Sequence, residues 1–173
     1  MSEPPALRSA CDAALAPRLE QKILPGLDRI RHALAELSHP EHRFPAALVL
    51  GTNGKGSTAA LLAAVLGRHG LKAGLYTSPH LVRVEERIAV AGKRIAPGRL
   101  LALVNELARF PRLSYFETLT TAALLYFAEE AVDVAVLEAG LGGRWDATTA
   151  AAPTLSLLTN VGTDHQAWLG ATR

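Results

Sequence analysis

Lys55 stands between two glycines in Leu50-Gly51-Thr52-Asn53-Gly54-Lys55-Gly56-Ser57-Thr58, a stretch with the parts of a phosphate site. Small residues let backbone N–H groups wrap an anion, and a helix start behind them adds its positive end. Gly51, Gly54 and Gly56 meet the first need, and the helix expected from Lys55 meets the second. Lys55 adds a compact charge for the outer phosphates. Ser57 or Thr58 offers a hydroxyl to Mg²⁺. The spacing departs from the usual loop, which runs Gly, four residues, Gly-Lys-Ser/Thr. Here Gly56 follows the lysine, and Val49 holds the place of the first glycine. Taken alone, the stretch also reads as a Gly-rich turn with an exposed lysine.

The elements around it favour a site. Ala46 to Leu50 is a short apolar run ending at glycine, as buried parallel strands do. Lys55 to Arg68 is rich in Ala and Leu and reads as a helix, with Gly70 as its stop. Further strands are expected over Lys72 to Tyr76, Val132 to Leu137 and Thr154 to Leu158. Ile88 to Val90 and Lys93 to Ile95 form a hairpin turning at Ala91-Gly92. Helices are expected over Leu27 to Leu37, Pro97 to Arg109 and Phe116 to Ala131. This alternation predicts an α/β fold of the P-loop type, a mostly parallel sheet with helices on both faces. Ligands of such sheets sit at the carboxyl ends of the strands. Those ends carry Gly51 to Ser57, Thr77 to His80, Glu138 to Asp146 and Asn160 to His165.

The bulk numbers exclude several classes. The 173 residues are 49% hydrophobic and 20% charged, the balance of a globular domain. A net charge of +2 is too small for a dedicated nucleic-acid binder. The one cysteine, Cys11, supports no disulfide framework and fits a reducing compartment. Glu3, Arg8 and Asp12 interrupt the N-terminus, which does not read as a signal peptide. The uncharged run from Ala147 to Thr163 holds Pro153, Asn160 and several threonines and makes a poor membrane span. A cytoplasmic location without membrane or nucleic-acid partners is the expectation.

Five segments, GTNGKGS, LYTSPHLVRVEERI, SYFE, LEAGLGGRWDATT and NVGTDHQAWLG, occur in this order. Together they resemble the folylpolyglutamate synthase and dihydrofolate synthase family, relatives of the Mur ligases. The resemblance runs from about Leu27 to the last residue. It implies an ATP-dependent ligase that joins L-glutamate to the carboxylate of dihydropteroate or a reduced folate through an acyl phosphate.

The resemblance also implies roles. ATP would be held by Thr52, Asn53, Gly54, Lys55, Gly56, Ser57 and Thr58. Ser57, Ser78, Glu138 and His165 match metal positions for Mg²⁺ or Mn²⁺, and Lys55, Glu138 and His165 are the catalytic candidates. The substrate side would draw on Leu27, Asp28, His80, Tyr115, Phe116, Glu117, Arg144, Trp145, Asp146 and Ala147. Phe116 offers a ring to stack on a pterin, and Asp146 offers acceptors to its nitrogens. His80 favours the dihydropteroate-using members. Family members are much longer, so the expected organisation is an N-terminal extension over 1–26 and a partial central ATP-binding domain over 27–173. The glutamate-ligase domain is expected to lie outside this chain, the chain alone is expected to be inactive, and the whole enzyme is expected to be a monomer. Two alternatives stay open: another Mur-type amide ligase, and a non-catalytic nucleotide-binding module.

Overall fold

The computed structural model describes residues 5–19 and 26–162. Six strands form one sheet: β1 (Ala46–Leu50), β2 (Ala73–Tyr76), β3 (Ile88–Val90), β4 (Lys93–Arg94), β5 (Val134–Glu138) and β6 (Leu155–Leu158). Their spatial order is β4-β3-β2-β5-β1-β6. β2, β5, β1 and β6 run parallel, and the β3–β4 hairpin adds the antiparallel edge beside β2. The mostly parallel sheet expected from the sequence is therefore present. Element ends differ from expectation by one or two residues. The last three residues of the helix expected over Pro97 to Arg109 are a 3₁₀ turn, Leu107–Arg109, after α4 (Pro97–Glu106).

Alternation along the central strands feeds two separate layers. Leu48, Ala135, Leu137 and Tyr76 face the main core under α5 (Tyr115–Glu129) and α2 (Asp28–Glu36). Val49 and Val136 point to the other face and pack with Ala59 of α3 (Lys55–Arg68). Close approach matters at Gly74, where a Cβ would lie 2.8 Å from the Phe127 ring. The absence of a side chain there lets α5 lie flat on β2.

α5 starts where its sequence says it should. The Ser114 hydroxyl accepts the Glu117 N–H at 3.3 Å, and Glu117 Oε2 accepts the Ser114 N–H at 2.8 Å. This reciprocal box satisfies two donors that a helix start leaves open.

The N-terminal stretch, for which the sequence predicts no element, contains a helix. Pro5–Leu19 is a helix, α1, which packs on α4 and buries Cys11 and Leu15. Burial first, then the nearby carboxylates of Glu85 and Asp12, push the Cys11 thiol up to about 12, so it is inert as a nucleophile. Arg18 anchors α1. Its guanidinium donates to the carbonyls of Leu107, Phe110 and Leu113 and to Thr118 Oγ1. These acceptors compensate a buried cation.

Candidate active site

The carboxyl ends of β2, β5, β1 and β6 are neighbours in the sheet, and their loops meet on one edge. At the centre is Glu138, the last residue of β5, only 4% exposed. Its Oε2 accepts the Ser78 N–H at 2.8 Å from the loop after β2. The start of α3 approaches from the other side, where a Cβ on Gly56 would lie 3.2 Å from Oε2. That approach gives the irregular Gly56 a physical reason: a side chain would crowd the carboxylate. Burial raises the Glu138 carboxyl above its ordinary range, against the pull of the Ser78 N–H, Lys55, Arg87 and the Gly56 N–H.

The glycine-rich loop after β1 is held from within and from a distance. Lys55 Nζ donates to the carbonyls of Gly51 (2.8 Å) and Thr52 (3.2 Å). The end of β6 supplies the rest. Thr159 Oγ1 donates to Asn53 O at 2.7 Å, and the Asn160 amide pairs with both the N–H and carbonyl of Asn53 at 3.1 Å. The Gly162 N–H donates to Thr52 Oγ1 at 2.8 Å. Gly54 takes φ 79 at the entry to α3, a left-handed turn that glycine adopts without strain.

Gly51 is a sharp test of this frame. It has φ 134, and a Cβ there would sit 2.0 Å from Thr159 Oγ1 and 3.1 Å from the Asn160 backbone. Gly51→Ala is expected to cost about 2 kcal/mol or more through backbone strain and displacement of Thr159. Thermal unfolding checks the cost, and a nucleotide titration of the same variant should show weakened binding.

Other expected residues occupy distinct settings. Ser57 is exposed at the first turn of α3, and Ser78 is half-buried beside Glu138. Tyr115 and Phe116 are half-buried; Phe116 lies 5.8 Å from the Tyr76 ring and packs on Gly140. Trp145 is 59% exposed, with the Arg144 guanidinium 5.6 Å from its ring centre. Asp28 is exposed at the start of α2, while Leu27 and Ala147 are buried in the core.

Two carboxylates are already engaged inside the protein. Glu117 belongs to the α5 cap and pairs with Arg29 at 3.1 Å. Asp146 is buried; its Oδ2 accepts the Leu141 N–H at 2.8 Å, and its Oδ1 accepts from the Thr148 N–H and hydroxyl. It caps the 3₁₀ helix Ala147–Ala151 and shapes the Gly140–Asp146 loop. Burial raises its carboxyl, and these donors, led by the Thr148 hydroxyl, lower it. His165 lies outside the described residues.

Sequence reading missed Arg87. Its Nε donates to His80 Nδ1 at 3.0 Å, and its guanidinium lies 5.4 Å from the Tyr115 ring centre. A neutral His80 ring so bonded carries its proton on Nε2. The sequence shows only one of several arginines after Pro79; nothing local marks it as the partner. The Thr159–Asn160 clamp was equally hidden, except that both residues follow a strand.

Similarity to known proteins runs along most of the chain. The Mur ligase middle domain family matches residues 49–171. The dihydrofolate synthase/folylpolyglutamate synthase of Bacillus subtilis is 40% identical over 165 residues, covering 90% of this chain and 38% of that protein. Among solved structures, Escherichia coli FolC in complex with DHPP and ADP superposes with a TM-score of 0.87 at 35% identity, covering 96% of this chain and 41% of that one. A bifunctional folylpolyglutamate synthase/dihydrofolate synthase with Mn, AMPPNP and L-glutamate bound gives 0.84 at 34% identity, covering 94% and 41%. The chain thus spans about two-fifths of the relatives it matches.

Proposed function

Because the chain belongs to the Mur ligase family, on its folylpolyglutamate synthase/dihydrofolate synthase branch, we propose that it forms the ATP- and pterin-binding part of a ligase. That ligase attaches L-glutamate to the carboxylate of dihydropteroate or a reduced folate. The observation that carries this reading is the convergence on Glu138 of the lysine-bearing loop after β1 and the serine loop after β2. Relatives bind ADP with DHPP, and AMPPNP with Mn and L-glutamate.

The reaction brings two anions together. The substrate carboxylate attacks the γ-phosphorus of ATP, ADP leaves, and an acyl phosphate forms. The glutamate amine then attacks the acyl carbon, and phosphate leaves as the amide bond closes. Positioning and charge compensation must supply most of the rate. The N–H groups at the start of α3 face the phosphates, and Lys55 turns from the Gly51 and Thr52 carbonyls to a phosphate oxygen. His80, with Nδ1 held by Arg87, offers its Nε2–H to an acceptor on the pterin side. Phe116 and Tyr115 wall the same side.

The donor set suits a hard divalent ion. Ser57 and Ser78 offer hydroxyls, and Glu138 offers a carboxylate whose burial leaves its charge under-compensated. With His165 these residues would hold Mg²⁺, which when bound draws negative charge from the phosphate oxygens. Asp146 and Glu117 act in this account as organisers of the substrate loops. We place the working enzyme in the cytoplasm as a monomer; no helix among the described residues is long and apolar enough to cross a membrane.

The test is ADP release from Mg-ATP with dihydropteroate and L-glutamate, each omitted in turn. It is run on this chain and on a version extended to the length of the relatives. Release that needs both co-substrates, in the extended protein alone, is expected. Release from neither protein with any pterin acceptor would leave a nucleotide-binding module instead.

A further inference from the structure

The loop between α2 and β1 carries a second cluster of metal-ligating side chains, in His39-Pro40-Glu41-His42. His39 Nδ1 lies 2.9 Å from Glu41 Oε1, and His42 Nε2 lies 3.6 Å from the same oxygen. All three ligand atoms fall within 4.8 Å of one another. Donors around a tetrahedral ion stand about 3.4 Å apart, given bonds of about 2.1 Å. Two of the separations already bracket that spacing.

Glu41 gives the cluster its charge. Its side chain is 4% exposed, while those of His39 and His42 are 49% and 64% exposed. Oε1 faces the two imidazoles, and the buried Oε2 has no hydrogen-bond partner among the described residues. A buried carboxylate with one oxygen unpaired is costly. A cation at Oε1 on the open side, between the two exposed rings, would offset the charge of the carboxylate as a whole, without itself reaching Oε2. Two imidazoles and one carboxylate suit Zn²⁺ and the similar ions Co²⁺ and Ni²⁺ better than Mg²⁺ or Ca²⁺.

We propose that His39, Glu41 and His42 form a binding site for a Zn²⁺-type divalent transition-metal ion, separate from the candidate active site. It sits before the start of β1, whereas the nucleotide loop follows that strand's end. The five residues of β1 separate the two by roughly 17 Å at about 3.3 Å per residue. The ion therefore acts on the fold rather than on the chemistry. It ties the left-handed His39, φ 52, to the short 3₁₀ helix Pro40–Arg43 that packs against α5.

The two rings now stack, with centres 4.8 Å apart and planes 6° from parallel. An imidazole lone pair lies in its ring plane, so two stacked rings do not aim at one ion. His42, the more exposed, turns on its side-chain torsions when the ion binds, and the stack opens.

The experiment titrates the untagged chain with Co²⁺, follows the visible d–d absorption, and displaces the ion with Zn²⁺. Glu138→Gln serves as a control for metal at the candidate active site. One Co²⁺ equivalent is expected that survives Glu138→Gln and weakens at least tenfold in His42→Ala. Exposure of His42 makes that variant safe for folding, and His39→Ala repeats the test from the other ring. Zn²⁺ should raise the melting temperature of the parent chain and leave that of His42→Ala unmoved. No Co²⁺ band in the parent, equal affinity in His42→Ala, or comparable loss in Glu138→Gln would overturn the proposal.

Discussion

Lys55→Ala is expected to weaken ATP binding at least tenfold and to cut turnover of the extended enzyme about a hundredfold or more. One charge-assisted hydrogen bond to a phosphate is worth about 1.5–3 kcal/mol, and the loss grows where charge shifts in the transition state. A second effect adds to the first. Lys55 Nζ also bonds the carbonyls of Gly51 and Thr52, so its removal loosens the loop before any nucleotide arrives. Calorimetric titration with ATP separates the two effects: Lys55→Arg keeps the charge but not the compact geometry and should recover only part of the affinity. Unchanged affinity in Lys55→Ala would remove the nucleotide reading of this loop.

The second large effect comes from Glu138→Gln, with activity and stability moving in opposite directions. ADP release should fall by about a hundredfold or more, because a neutral amide cannot compensate a cation at the phosphates. Stability in a chelator should rise. Burial holds the Glu138 carboxyl above its ordinary range. Between its unfolded and folded pKa values the folded state binds more protons than the unfolded one, so stability falls as pH rises through that window. Glutamine carries no such penalty. Its advantage should be largest at neutral pH and vanish on acidification below the ordinary glutamate range, at about 2–4 °C of melting temperature per kcal/mol. Mg-ATP should reverse the order, since only the parent gains fully from binding. A variant that loses stability at neutral pH in chelator would contradict this account of Glu138.

The sheet was legible in the sequence because its strands are short apolar runs ending at glycine or a lone acid, and its helices carry their own stop signals. The β5 carboxylate and the loop lysine were legible for the same reason: polar residues at the ends of buried strands stand out. Other features depended on distant partners. Arg18 reads as a surface arginine until its acceptors, which lie some ninety to a hundred residues away, close around it. Pro17 and the weak periodicity around it concealed α1. Glu117 and Asp146 read as ligand-facing carboxylates, and the helix caps that they also form could not be told from that role, because a capping partner and a substrate ligand have the same side chain. Arg87 is one arginine among several in sequence and a junction between His80 and Tyr115 in space.

The clamp between Asn53 and Asn160 joins residues 107 positions apart. During synthesis the lysine-bearing loop leaves the ribosome long before its restraint is made. At about 5–20 residues per second, the interval is on the order of 5–20 seconds. For that time Asn53 lacks the restraint that Asn160 supplies, and an early-bound nucleotide would meet an unshaped loop. On the proposed nucleotide reading, competence for ATP is acquired late, when β6 docks beside β1, and a pause in translation before Leu155 would delay it.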